Sequence, residues 1–225
     1  MKRGVDSAYS TLARSDQTAE TVALVALRVI VRMKRICVFC GSRTGVQEAY
    51  RQAAVNLGRL LAERGWGLVF GGGRIGLMGI VADRVMQQGG EAIGVIPKML
   101  MQKEIAHSGL TSLRVVCTMH ERKAMMAELA DGFIALPGGY GTLEEFFEIL
   151  TWAQLGLHRK PCGLLNVQGY FDPLLGLVEH AVNEGFVRPD HRPLIIDDQD
   201  AEQLLDRMVA YTPPETPQLL HPGEI

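Results

Sequence analysis

The run Pro137-Gly138-Gly139-Tyr140-Gly141-Thr142-Leu143-Glu144-Glu145 sets three glycines and a threonine ahead of two carboxylates. Gly138, Gly139 and Gly141 leave backbone N–H groups unobstructed, and Thr142 adds a hydroxyl where a helix is expected to begin. Unpartnered donors and the positive end of a helix dipole suit such a place to an anion. The same residues also match a capping box, Thr142-x-x-Glu145, in which Glu145 merely reaches back to the Thr142 backbone. Successive helical residues turn by about 100°, so Glu144 and Glu145 cannot share a direction. One can face a ligand while the other faces elsewhere.

Three further groups of residues have chemical potential. In Met119-His120-Glu121-Arg122-Lys123, Arg122 offers a fork for phosphate or carboxylate and Lys123 a point charge. A solvated helix face is the structural alternative there, and His120 is expected to cap or pack. The stretch Gly71-Gly72-Gly73-Arg74-Ile75-Gly76-Leu77-Met78-Gly79 allows positive φ and close approach of a ligand to the backbone. Its spacing fits neither the dinucleotide fingerprint nor the Walker pattern, and a tight strand–helix turn with no ligand competes. Cys37-x-x-Cys40 lies inside an apolar run with no second ligand pair of matching spacing, which favours buried strand thiols over a metal or redox site.

The elements that must position these groups follow from periodicity. Short β-branched runs at 36–39, 68–70, 92–96, 113–117, 132–136, 163–166 and 194–196 read as strands. Helical patterns fall at 46–63, 77–87, 120–130, 143–155, 173–184 and 201–210, with a long loop over 99–110. This alternation predicts an α/β fold: a Rossmann-like, doubly wound parallel sheet with helices on both faces, in a single domain. We expect an N-terminal extension at 1–34, mobile or a short helix, then the domain at 35–211 and a C-terminal tail at 212–225. In such folds ligands bind beyond the carboxyl ends of the strands, at the topological switch point. Both glycine clusters follow predicted strands.

Composition narrows the partners. A chain of 225 residues suffices for one such domain, and its formal net charge of -2 argues against a basic surface that coats nucleic acid. Four cysteines are too few and too scattered for a disulfide scaffold. The apolar run from Val22 to Val31 is interrupted by Arg28 and too short to span a bilayer. Arg32, Lys34 and Arg35 follow it instead of a small-residue cleavage site, so a cytoplasmic protein without membrane partners is expected, and Met33 is an alternative start. The segment from Phe146 to Leu155 is apolar around much of its helix, which suits either a second copy or a larger core.

Taken together, "MHERK", "FIALPGGYGTLEE" and "TWAQLGLHRKP", with "CVFCGSRTG", "GGGRIGLMG" and "GVIPKML", resemble the LOG ("lonely guy") family of cytokinin-activating phosphoribohydrolases, whose members are often misnamed lysine decarboxylases. The motifs occur in order from about Arg35 to about Asp198. The resemblance implies hydrolysis of the N-glycosidic bond of N6-substituted adenosine 5′-monophosphates, giving the free base and ribose 5-phosphate. It places the catalytic pair on Arg122 and Glu145 and substrate contacts on Glu104, Lys123, Gly138, Gly139, Tyr140, Gly141, Thr142 and Glu144. It implies no metal, no organic cofactor, a small nucleotide partner and a homodimer. A nucleosidase of broader monophosphate specificity and a non-catalytic carrier of a nucleotide or phosphorylated cofactor are the alternatives.

Overall fold

Seven short strands in the computed structural model are laid side by side, all parallel, in the order β4-β3-β2-β1-β5-β6-β7. The structure describes residues 33–101 and 106–215. The strands are β1 (Arg35–Phe39), β2 (Gly67–Phe70), β3 (Ala92–Pro97), β4 (Ser112–Val116), β5 (Gly132–Ala135), β6 (Cys162–Leu165) and β7 (Ile195–Asp198). Among the described residues the α-helices are α1 (Glu48–Glu63), α2 (Gly76–Gln87), α3 (Met119–Leu129), α4 (Tyr140–Gln154), α5 (Asp172–Asn183) and α6 (Ala201–Val209). The doubly wound α/β architecture expected from the sequence is present.

Residues along a strand alternate between faces, so β1 feeds two cores at once. Ile36 and Val38 join Leu57, Leu61, Phe70 and Val81 in a layer packed by α1, α2 and α6. Cys37 and Phe39 join Met126, Phe133 and Phe146 in the layer packed by α3, α4 and α5. Both faces are covered, which is why the central strands read as unbroken apolar runs. Strand β4 departs from this: Arg114 and Val115 are exposed at the sheet edge.

β1 pairs with β2 on one side, Val38 opposite Phe70, and with β5 on the other, Phe39 opposite Ala135. The chain winds outward from β1 to β4 and then crosses to β5, so the switch point lies between β1 and β5. The loops that leave those strands are stitched together. Gly41 N–H donates to Pro137 O at 3.1 Å, and Leu77 N–H donates to Gly41 O at 3.0 Å.

Most element boundaries lie within two residues of expectation. The exception is α4, which begins at Tyr140 and not at Leu143. Met33 is buried and packs in the α1-side core, while the expected extension up to residue 32 and residues 216–225 of the tail lie outside the described residues. Among the described residues no helix is long and apolar enough to cross a membrane.

Candidate active site

The early start of α4 changes what its glycines do. Gly139, with φ -94° and ψ -156°, is the N-cap and supplies no side chain. Thr142 is therefore the third helical residue, buried at 4 % exposure, and cannot form a capping box with Glu145. Its hydroxyl is tucked against the entering chain. A Cβ on Gly138 would lie 2.1 Å from Thr142 Oγ1 and 2.9 Å from Gly41 N, so only glycine fits. Gly139 and Gly141 differ: a Cβ on either would meet nothing within 4 Å. Above these two residues is open space, faced by the first amides of a helix whose geometry leaves them without intrahelical acceptors. Tyr140 stands beside it at 93 % exposure.

The capping pattern does operate one helix earlier. Thr118 accepts a hydrogen bond from Glu121 N–H at 3.1 Å, and the Glu121 carboxylate accepts one from Cys117 N–H at 2.8 Å. The same residue pattern thus has two outcomes. In α3 the glutamate is spent on the cap; in α4 the glycine cap leaves Glu145 available for other work.

A firmly started α3 turns Arg122 inward. Its side chain is 6 % exposed and that of Glu145 14 %, with Arg122 Nη2 lying 3.9 Å from Glu145 Oε1. Nη2 also donates to Gly71 O at 3.4 Å. A Cβ on Gly71 would stand 2.0 Å from that nitrogen. The first glycine of the Gly71-Gly72-Gly73 cluster is thereby explained: it makes room for the guanidinium. At Gly76 and Gly79 the protein's own chain takes the space. A Cβ on Gly76 would lie 2.2 Å from the Ser42 carbonyl carbon, and one on Gly79 would overlap Arg74 O. Gly76 and Gly79 serve close packing.

Burial, with the Glu145 charge adding to it, pushes the Cys37 and Cys40 thiols well up from their ordinary value. Both are buried free cysteines and stay protonated, as expected of strand thiols. No group of His, Cys, Asp and Glu suited to a metal occurs among the described residues.

Lys123, about 100° further round α3, faces a different direction from Arg122. Its Nζ contacts Glu144 Oε1 at 2.7 Å and Glu148 Oε1 at 2.8 Å. Burial works against this ammonium, but the two carboxylates outweigh it and hold its pKa above the usual lysine value. Glu148 was not among the expected site residues, although it lies one turn beyond Glu144 on the same face. Lys123 and Glu148 also wall a cavity of about 700 Å³ between α3 and α4, with Phe133, Trp152, His158 and Lys160. Arg122 and Glu145 do not line it. Of the residues expected in the site, Arg122, Gly138, Gly139, Tyr140, Gly141, Thr142 and Glu145 gather at the carboxyl ends of β1 and β5. Lys123 and Glu144 pair at its flank, and Glu104 lies outside the described residues.

An amide-lined recess beside a buried carboxylate–guanidinium pair can hold an anionic group and stabilise a nearby cation. The family model described as possible lysine decarboxylase matches residues 78–208. A cytokinin riboside 5′-monophosphate phosphoribohydrolase of Oryza sativa subsp. japonica is 54% identical over 182 residues, 81% of this chain and 75% of that protein. One of Arabidopsis thaliana is 52% identical over 182 residues, 81% of this chain and 84% of that protein. Among solved structures, the molybdenum cofactor binding protein of Rippkaea orientalis shares the fold, with TM-score 0.59 at 22% identity, covering 79% of this chain and 96% of that one. At half-identity over four fifths of its length to several phosphoribohydrolases, the chain belongs to the LOG family of cytokinin riboside 5′-monophosphate phosphoribohydrolases.

Proposed function

We propose that this protein hydrolyses the N-glycosidic bond of N6-substituted adenosine 5′-monophosphates, releasing the free base and ribose 5-phosphate. The observation that carries the proposal is the Arg122–Glu145 pair, 3.9 Å apart and largely buried, set directly behind a helix N-terminus capped by glycine. The names of the relatives support the substrate class.

The chemistry assigns each part a role. The 5′-phosphate sits over the amides of Gly139, Tyr140 and Gly141, two of which carry no side chain. That anchor fixes the ribose near Glu145, so binding energy from a remote group orients the reacting bond. As the C–N bond breaks, its electron pair leaves with the base, which takes up a proton from solvent, to be replaced by the one that Glu145 later returns, and positive charge grows on the ribose ring. The Glu145 carboxylate stabilises that charge and receives a proton from the water that adds to the anomeric carbon. Arg122 pairs with Glu145 and aims its carboxylate.

The same reading takes the enzyme as a cytoplasmic homodimer whose activity resides in residues 35–211. Free buried thiols at Cys37, Cys40 and Cys162 suit a reducing compartment. Purified protein is to be incubated with isopentenyl-AMP, AMP, GMP and CMP, and the base and ribose 5-phosphate quantified. Release of isopentenyladenine with the highest kcat/KM supports the assignment; a preference for plain AMP or no release above a heat-killed control refutes it.

A further inference from the structure

A side chain far from the recess in sequence holds one of its peptide groups. Tyr170 Oη donates to Gly138 O at 2.6 Å. The carbonyl of Gly138 and the N–H of Gly139 belong to one planar trans peptide, so they point in opposite directions. Pinning the carbonyl on one side aims the Gly139 N–H to the other. A hydrogen bond at the carbonyl also polarises the peptide and strengthens its N–H as a donor.

The loop that presents Tyr170 is over-determined. Asn166, buried at 4 % exposure, donates from Nδ2 to Asp172 Oδ1 at 2.7 Å and accepts from Phe171 N–H at 2.7 Å. Its backbone N–H donates to Asp198 O at 2.8 Å, tying the loop to β7. Between these anchors Gln168 adopts φ 54°, the one non-glycine residue with positive φ among the described residues. A non-glycine side chain in that region costs on the order of 1 kcal/mol and persists only where its surroundings impose it. The Tyr170 ring is also held edge-on by Tyr50, with centroids 5.8 Å apart. Tyr50 in turn lies under Gly45, where a Cβ would come within 2.7 Å of the ring. The loops after β1, β5 and β6 are therefore linked through the two tyrosine rings, Tyr50 and Tyr170.

We infer that Tyr170 is a positioning residue for the anion recess, setting the Gly138–Gly139 peptide so that its N–H receives a phosphate oxygen of the substrate. This rests on the proposed assignment of the recess to the 5′-phosphate. It concerns ligand affinity and leaves the bond-breaking pair at Arg122 and Glu145 untouched.

The test is Tyr170→Phe, which deletes the hydroxyl and keeps the ring. KM for isopentenyl-AMP and the inhibition constant of inorganic phosphate should both rise about fivefold to tenfold, the worth of one hydrogen bond. The kcat should stay within about twofold, and competition by isopentenyladenosine, which lacks the phosphate, should not change. Unchanged phosphate inhibition and KM in folded Tyr170→Phe overturn the inference. So does an equal loss toward the phosphate-free nucleoside, the mark of general loosening. Amide NMR on wild-type protein is independent of how the variant folds: inorganic phosphate should shift the Gly139 N–H resonance, and a static resonance at saturating phosphate overturns the inference. If wild-type protein itself fails to favour the monophosphate over the nucleoside, the assignment of the recess has failed and the inference falls with it. A wild-type preference that Tyr170→Phe retains in full condemns the inference alone.

Discussion

Gly71→Ala is expected to disable the site by displacing one group. The added Cβ would lie 2.0 Å from Arg122 Nη2, whereas ordinary contact begins at 3.4 Å, so the guanidinium must retreat by about 1.4 Å. Backbone on the other side of the contact cannot yield, because Gly71 follows directly on β2 in the middle of the sheet. Arg122 Nη2 stands 3.9 Å from Glu145 Oε1, near the limit of ion-pair range, so moving the guanidinium by that much disturbs its placement against the carboxylate. A misplacement of about 1 Å at a catalytic group costs on the order of 100-fold in rate, and overpacking a tight site costs about 1–3 kcal/mol in stability. We therefore expect Gly71→Ala to lower kcat/KM for isopentenyl-AMP about 100-fold and to destabilise the fold by about 2 kcal/mol in urea unfolding. The decisive measurement is a double-mutant cycle with Arg122→Ala. With the guanidinium removed there is nothing for the methyl to strike, so the added stability cost of Gly71→Ala should fall below about 0.5 kcal/mol. An equal penalty in both backgrounds, or wild-type activity in Gly71→Ala, refutes the steric explanation of this glycine.

Three other outcomes follow from the geometry. Glu145→Gln preserves shape and removes charge; a unit charge about 4 Å from the developing cation is worth about 4 kcal/mol at an effective dielectric near 20, so kcat should drop by about 1000-fold with KM little changed, and a folded variant within threefold of wild type removes Glu145 from the mechanism. Gly141→Ala places a methyl in the open space above α4, so thermal melting should show no loss, or a gain of about 0.5 kcal/mol from helix propensity, while KM rises about tenfold; an unchanged KM would mean that no ligand occupies that space. His158 donates from Nε2 to Ile149 O and accepts Lys160 N–H at Nδ1; burial, reinforced by the Lys160 charge, lowers its pKa to about 4. The unfolded state then binds the extra proton first, so this contribution, at most about 3 kcal/mol, is present above pH ~6.5 and lost as pH falls toward 4. An imidazole that titrates near its ordinary value by NMR would contradict this.

The positions of strands and helices along the chain were largely legible, because buried parallel strands and crossover helices impose unmistakable periodicities. The family resemblance assigns Arg122, Glu145 and the Gly138–Thr142 run to one site, and the fold brings those residues near one another. Three things were not accessible. Thr142-x-x-Glu145 and Thr118-x-x-Glu121 are the same local pattern, and which becomes a cap depends on whether the chain before it can cap without a side chain, as Gly139 does. Gly71 looked like part of a phosphate loop, yet its reason is a guanidinium 51 positions away in sequence. Tyr170 gave no local signal at all, since its partner lies 32 positions earlier and the contact exists only once β5 and β6 are paired.

The distribution of sulfur in this fold has a practical use. Cys37, Cys40 and Cys162 are sealed among apolar neighbours, and Cys117 alone is exposed, just ahead of the helix that carries Arg122. A maleimide dye should therefore attach at one known place on the natural polypeptide with no engineering.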